Sequence, residues 1–219
     1  QVSSRLSFHL AKTRIIARYY GNAKDNITYF KTALEKGAYA FEQAAYYRLA
    51  LAYFANEQYP QAKQIIDRLR KQDPENLFYI DTYTDIALAQ KRFSDAIALL
   101  TEQAKRAPRN KVITLNLANS LMENDQIDRA TELLKDFLLV NPSNMLALQM
   151  LSEAYGKTRN MLEMHQSKAE VYALAAAYPR AIDELHTAYN FAGDKQLEKQ
   201  RIRARINQFR DQIDRLKNL

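Results

Sequence analysis

One short apolar phrase returns along this chain at a regular spacing, and that spacing limits the folds that are possible. Each copy holds an alanine followed by aliphatic residues, as in EQYPQAKQII at 57–66. The alanines are Ala62, Ala96, Ala130 and Ala181, so the intervals are 34, 34 and 51 residues. Three prolines keep the interval of 34, and they are Pro74, Pro108 and Pro142. A period of about 20–50 residues indicates a stack of similar supersecondary units.

The prolines divide the chain into 34-residue units at 43–76, 77–110 and 111–144, and a fourth unit starts at Met145. Within a unit, large, apolar, small and aromatic residues precede the alanine, the aliphatic residues and the proline. This order resembles the tetratricopeptide repeat, a helix–turn–helix unit. We expect the alanines where two helices approach most closely, because a larger side chain would separate them. The prolines stop one helix before the next begins.

The interval of 51 predicts an inserted half repeat, because 51 is 34 plus 17 and 17 residues make one helix with its turn. In the fourth unit, Met164 stands where the other units have alanine, and Tyr172 precedes Ala181 as the aromatic residue of a first helix would. One helix at about 161–175 is therefore expected to serve two successive pairs. A break into two domains at 156–160 is the alternative, which the short linker disfavours.

The predicted fold is all-α: a right-handed tetratricopeptide-repeat helical solenoid with a half-repeat insertion and a C-terminal capping helix. The 4 glycines and 5 prolines among 219 residues are too few for a turn-rich β-fold, and 47% of the residues are hydrophobic. We expect a single domain over 1–219. Its parts are a degenerate helix pair at 1–40, repeats at 43–76, 77–110 and 111–144, one and a half repeats at 145–195, and a basic capping helix at 196–219.

The positive charge is concentrated at one end of the chain. The net charge is +7, and residues 195–219 hold eight Lys or Arg against three acidic residues, which gives +5. The cations that flank the apolar stripe of this helix are Lys199, Arg203, Arg210 and Lys217. The helix is predicted to cap the stack, with cations that keep its end in water. The four cations are also the predicted residues of a secondary contact, with an acidic partner or an anionic surface.

The sequence offers little for catalysis or cofactor binding. There is no cysteine, and the three histidines have no spacing that would place two metal ligands on one helix face. Nucleotide-binding glycine motifs are missing, so we expect no cofactor and no catalytic residue. Asp81 and Asp85 are four residues apart, but paired carboxylates need a closed pocket to act as acid and base. No apolar run reaches the length of a membrane span, and no signal peptide is recognisable at 1–10.

The first helices are expected to line a concave groove that binds protein. Repeats that capture an acidic C-terminal peptide carry Lys and Arg at the groove positions, which this chain lacks. Its groove is apolar and aromatic at one end and acidic in the middle. The predicted protein-binding residues are Tyr47, Phe54, Phe78, Asp81, Asp85, Asn119 and Glu153. In the alternative interpretation, the aromatic residues are core and the carboxylates only keep the surface soluble.

Three stretches carry a more specific resemblance. YIDTYTDIALAQ (79–90), TLNLANSLM (114–122) and HQSKAEVYALAAAYPRAIDEL (165–185), in this order, resemble the C-terminal repeat domain of BepA/YfgC-type periplasmic zinc metallopeptidases. The resemblance covers nearly the whole chain. The HExxH motif of the zinc-binding peptidase domain is missing from the chain, so no catalytic residue is transferred and this chain is expected not to be an enzyme.

The resemblance implies a location in the periplasm of a Gram-negative bacterium and a role in assembly and quality control of outer-membrane proteins. It also implies three partners: the chain's own peptidase domain, the β-barrel assembly machinery, and unfolded or stalled β-barrel proteins. A generic repeat scaffold and an RNA-binding helical repeat are the alternatives. A reader of RNA needs basic residues along its groove, where this chain has Asp81, Asp85 and Glu153, so we expect no nucleic acid partner.

Overall fold

The computed structural model describes residues 22–217, which form eleven α-helices and no strand. The helices are α1 (Ala23–Glu35), α2 (Glu42–Ala55), α3 (Tyr59–Gln72), α4 (Leu77–Ala89), α5 (Phe93–Arg106), α6 (Lys111–Glu123), α7 (Ile127–Val140), α8 (Met145–Lys157), α9 (Met161–Leu174), α10 (Tyr178–Asn190) and α11 (Gln196–Lys217). Helix α1 lies within the predicted degenerate pair at 1–40, and residues 1–21 of that pair are outside the described residues.

The 34-residue period sets where first helices begin. Helices α4, α6 and α8 follow asparagines whose side-chain oxygens accept hydrogen bonds from backbone N–H groups of the first turn. These residues are Asn76, Asn110 and Asn144. The N–H groups of a first turn have no partner inside the helix, so an asparagine at this place stabilises each start.

The same period appears in the backbone of the turns within helix pairs. Five residues in these turns have positive φ, and they are Glu57, Lys91, Asp125, Arg159 and Ala176. Their spacings are 34, 34, 34 and 17 residues. The turn after α9 therefore repeats the turn that follows each first helix. Helix α9 is therefore the second helix of the pair that it forms with α8. It is also the first helix of the pair that it forms with α10.

Packing divides the chain into two compact units, one up to Asn116 and one from Leu117 onward. In the first unit, Ala62 and Ala96 are fully buried, as their place in the repeat predicts. Helices α2 and α3 pack together, and α3 packs on α4. The single domain predicted over 1–219 stays a prediction.

In the second unit, α9 packs against both α8 and α10, which confirms the helix predicted at about 161–175. A buried cluster joins Leu162 and Ala169 of α9 to Ala181 and Leu185 of α10. Ile202, Ile206 and Phe209 of α11 belong to the same cluster. The predicted capping helix therefore buries an apolar stripe up to Phe209, whereas Leu216 near its end is 54% exposed. None of the described helices is long and apolar enough to cross a membrane.

Candidate protein-binding site

Two of the predicted contact residues in the first unit belong to the core. Tyr47 is 0% exposed, and its hydroxyl shares a hydrogen bond of 2.9 Å with the hydroxyl of Thr82 on α4. Its ring also lies 5.7 Å from that of Tyr79. The structure therefore corrects the prediction that Tyr47 contacts a partner. The side chain sits where α2 meets α4, and the neighbouring first helix covers it.

The predicted contact at Asp81 is corrected as well, because only 9% of this residue is exposed. One carboxylate oxygen accepts a hydrogen bond of 2.7 Å from the side-chain amide of Asn116. This bond joins α4 to α6, the first helices of two successive repeats. A buried polar group costs stability unless it is hydrogen-bonded. The carboxylate of Asp81 therefore serves to hold neighbouring repeats together.

The remaining predicted residues of the first unit reach the surface in part. Phe54, Phe78 and Asp85 are each half-buried. The ring of Phe54 packs on that of Tyr59, with 5.6 Å between the ring centroids. A partly covered aromatic ring offers apolar area with little side-chain freedom to lose on binding. These three side chains remain the candidate contacts of this unit.

In the second unit, both predicted residues are exposed. Asn119 lies on α6, and Glu153 lies on α8 in an ion pair of 3.3 Å with Lys157. Glu153 is also on the wall of a pocket of about 710 Å³ between α8 and α9. The other lining residues are Gln149, Ser152, Gly156, Lys157, Met164, Lys168, Val171 and Tyr172. We call this the α8–α9 pocket.

The α8–α9 pocket exists because this helix pair departs from the repeat at three positions. Gly156 stands where earlier repeats carry Phe54, Leu88 and Met122. Met164 replaces alanine, and its sulfur would lie 3.3 Å from a Cβ atom placed on Gly156. Lys168 replaces the buried aliphatic residue of the other second helices. The glycine makes room for the methionine, and a lysine keeps its charged end in water, so it does not close this face as an aliphatic side chain would.

The predicted basic contact residues lie on α11 with different surroundings. Lys199 and Arg203 lie over the ring of Tyr189, at 5.2 and 5.1 Å from its centroid. Lys217 is 3.8 Å from the carboxylate of Asp214, and Arg210 is exposed. Arg205 of α11 donates hydrogen bonds to both carboxylate oxygens of Glu170 on α9, and these bonds raise the pKa of Arg205 above its ordinary value. Among the four predicted cations, Arg210 is thus the one whose side chain is held least by neighbouring rings and carboxylates.

A comparison with known protein families identifies the same repeat that the helix pairs form. The family model of the tetratricopeptide repeat matches residues 19–80 and 87–146. This chain belongs to the tetratricopeptide repeat family. The match covers the repeats in which Ala62, Ala96 and Ala130 are buried at the helix crossings.

Among curated proteins, this tetratricopeptide-repeat chain is similar to enzymes named β-barrel assembly-enhancing protease. It is 30% identical to the one from Escherichia coli (strain K12), over 99% of this chain and 44% of that protein. It is 28% identical to the one from Yersinia pestis, over 95% of this chain and 43% of that protein. The resemblance predicted from the sequence is confirmed, and the chain spans less than half the length of these relatives.

Solved structures show the same fold at low sequence identity. MamA from Desulfovibrio magneticus RS-1 matches with a TM-score of 0.55 and 14% identity, over 76% of this chain and 93% of that one. A kinesin light chain with nearly identical TPR-like repeats, from Podosopora anserina, matches with a TM-score of 0.62 and 20% identity, over 82% of this chain and 99% of that one. The all-α tetratricopeptide-repeat fold class is therefore confirmed.

The sequence interpretation missed the α9 side of the pocket. It placed Met164 and Tyr172 on the half-repeat helix, but it did not name Lys168 or Val171 as surface residues. The available signal was the 34-residue register, in which Lys168 falls on the place of Ile66, Leu100 and Leu134. A lysine at a position that is otherwise aliphatic and buried indicates an open face. Within residues 22–217, no three His, Cys, Asp or Glu side chains meet as a metal site.

Proposed function

We propose that this chain is the protein-interaction module of a periplasmic metallopeptidase and chaperone that acts in assembly and quality control of outer-membrane β-barrel proteins. The observation that carries the proposal is similarity to β-barrel assembly-enhancing proteases along 95–99% of the chain. The tetratricopeptide-repeat fold supports a binding role, because stacked repeats present extended surfaces to other proteins.

In this proposal, the module docks on the β-barrel assembly machinery and engages unfolded or stalled barrel proteins. Phe54, Phe78 and Asp85 supply apolar area and one charge in the first unit. The α8–α9 pocket supplies a second surface, and the exposed cations of α11 supply an acidic-partner contact. A few apolar anchors carry most of the affinity of such contacts, and charges fix orientation and partner choice. The chemistry of cleavage, and the zinc ion that it needs, belong to a peptidase domain of the same protein.

Site-specific crosslinking in cells tests the proposal. A photoreactive amino acid replaces Asp85 or Glu153, and the protein is exported to the periplasm of a Gram-negative host. Matched variants carry the same group at Gln64 on α3 and Glu132 on α7, which are exposed. We expect products with assembly proteins and with unfolded barrel proteins from Asp85 and Glu153, and fewer from the two control sites.

Three results would contradict the proposal. Crosslinks formed only from Gln64 and Glu132 would place the contact on the second helices. Binding of RNA to the purified chain that weakens steeply with salt would favour an RNA-binding repeat, since binding to a nucleic acid backbone releases counterions. Products that contain no assembly protein and no barrel protein from any site would indicate a repeat scaffold of another system.

A further inference from the structure

In a regular repeat, the next first helix covers one face of the second helix. On α3, Ile66 and Leu69 are almost fully buried, and they share a core cluster with Tyr79 and Tyr83 of α4. On α7, Leu134 and Phe137 are equally buried, and α7 packs on α8. A helix of the same chain therefore closes this face in both units.

On α9 the corresponding face is open. Lys168 and Val171 are 34 residues after Leu134 and Phe137, but they are only half-buried and line the α8–α9 pocket. The reason is the half repeat. Helix α10 packs on a different face of α9, the one that carries Leu162 and Ala169. No described helix of the second unit occupies the position that α4 takes on α3.

From this open face we infer that the α8–α9 pocket binds one amphipathic α-helix of a partner protein, with its apolar side chains on Val171 and Tyr172 and an acidic side chain at Lys168. The inference rests on the proposed function in treating the chain as a protein-interaction module. A helix is the expected occupant because helices close the equivalent faces of α3 and α7. Helices that bind in apolar grooves do so through side chains three or four residues apart.

The apolar part of the pocket suits such a helix. Met164, Val171 and Tyr172 supply side chains that are half-buried now and would be covered by a partner. Next to Gly156 the wall is formed by Met164, whose sulfur would lie 3.3 Å from a Cβ atom placed on the glycine. Methionine adapts its shape to different apolar surfaces. An aliphatic side chain from the partner would take the space that Phe54, Leu88 and Met122 fill in the other repeats.

The charges favour an acidic partner. Lys157 is paired with Glu153, whereas Lys168 forms no ion pair among the residues that the structure describes. The lining therefore carries two positive charges and one negative charge. A carboxylate placed at Lys168 would gain a partner, and a cation there would be repelled. The chain's own basic helix α11 is a poor match, which argues against a second copy as the occupant.

The test uses the whole 219-residue chain and a fluorescent stapled peptide of 18 residues. The peptide is helical, with Leu at positions i, i+4 and i+7 and Glu at i+3. Three matched peptides replace Glu by Lys, replace the three Leu by Ala, or carry a central Pro in place of the staple. The protein variants are Lys168→Glu, the pair Gly156→Leu with Met164→Ala, and the control Lys195→Glu, an exposed lysine outside the pocket. Fluorescence anisotropy gives each Kd, and circular dichroism confirms the fold of each variant.

We expect Lys168→Glu to weaken binding of the acidic helix by roughly tenfold and to favour the Lys peptide, as the loss and reversal of one interface charge would. The double variant restores the residue types of the second repeat. Its leucine occupies the place proposed for an aliphatic side chain of the partner, and we expect binding to be lost. Lys195→Glu leaves Kd unchanged, and the Ala and Pro peptides bind weakly.

Equal binding of the Pro peptide would overturn the inference in favour of an extended occupant. Equal losses from Lys168→Glu and Lys195→Glu would overturn it in favour of unspecific charge attraction. Self-association of the chain that Lys168→Glu removes would assign the face to a second copy. If no helix binds while crosslinks to assembly proteins persist, only this inference fails. If the helix binds but no assembly protein is crosslinked, only the proposed function fails.

Discussion

The α2–α3 crossing and the α8–α9 crossing have the same sequence spacing but different interiors. At the first, Ala50 and Ala62 are both fully buried in one core cluster. At the second, the equivalent residues are Ser152 and Met164, and the hydroxyl of Ser152 donates a hydrogen bond of 3.4 Å to the backbone oxygen of Met164. The first crossing is closed, and the second borders a pocket of about 710 Å³.

The difference shows which property of a repeat each residue controls. The 34-residue spacing of caps and turns fixes where the helices begin and end, and it holds at both crossings. The size of a few side chains then decides whether the interior closes. Protein interiors are packed as densely as organic crystals, so the loss of a large side chain at Gly156 leaves space open. Lys168 is as large as leucine, but a lysine keeps its charged end in water and does not close an apolar interior.

The largest expected effect comes from the core of the first unit, where α2 meets α4. Tyr47→Ala should lower the free energy of unfolding by about 3–5 kcal/mol, because it removes a fully buried aromatic side chain and leaves a cavity. Urea denaturation measures the change. Phe54→Ala is the matched control, since Phe54 is half-buried and its loss should cost clearly less. Equal midpoints for the two variants would contradict the assignment of Tyr47 to the core.

A second prediction compares the two crossings directly. Ala62→Leu should cost about 1–3 kcal/mol, because the closed α2–α3 crossing has no room for three more carbon atoms. Met164→Leu should cost less than about 1.5 kcal/mol, since it nearly conserves volume beside an open pocket. The two urea midpoints give the comparison. A larger loss from Met164→Leu than from Ala62→Leu would show that the α8–α9 crossing is the tighter one.

The smallest expected effect at neutral pH distinguishes two neighbouring tyrosines. The hydroxyl of Tyr79 is buried without a hydrogen-bond partner among the described residues. Tyr79→Phe should therefore be neutral or stabilise the chain by up to about 1 kcal/mol. Tyr47→Phe should instead destabilise it by about 1 kcal/mol, because the hydroxyl of Tyr47 is bonded to Thr82. In urea denaturation we expect a lower midpoint for Tyr47→Phe and an unchanged or higher midpoint for Tyr79→Phe.

Burial of Tyr79 also predicts that the stability of the chain depends on pH. Burial raises the pKa of Tyr79 to about 12, above the value of about 10 of an exposed tyrosine. The unfolded chain therefore loses this proton first, and stability should fall as the pH rises from about 10 to 12. Tyr79→Phe should remove that part of the loss. An identical decline in the two proteins between these pH values would contradict the assignment.

Sequence spacing predicted the helix pairs, the buried alanines and the extra helix, because these follow from residue types that recur at fixed intervals. It did not predict that Tyr47 and Asp81 are covered, since the depth of a first-helix residue depends on how closely the next repeat packs. The partner of Asp81 is Asn116, which is one repeat later and carries no motif of its own. The α8–α9 pocket depends on side-chain volumes from two helices, and period alone contains no information about volume.

The most direct measurement is the accessibility of the α9 face, and the chain is suited to it because it contains no cysteine. Lys168→Cys and Leu134→Cys each introduce a single thiol, at equivalent places of α9 and α7. Under native conditions we expect a water-soluble maleimide to label Lys168→Cys at the rate of an exposed thiol. Leu134→Cys should react at least about 100-fold more slowly, since its labelling requires an opening that costs several kcal/mol. If Lys168→Cys is protected as strongly as Leu134→Cys, a helix of the chain covers this face of α9 and the open pocket does not exist.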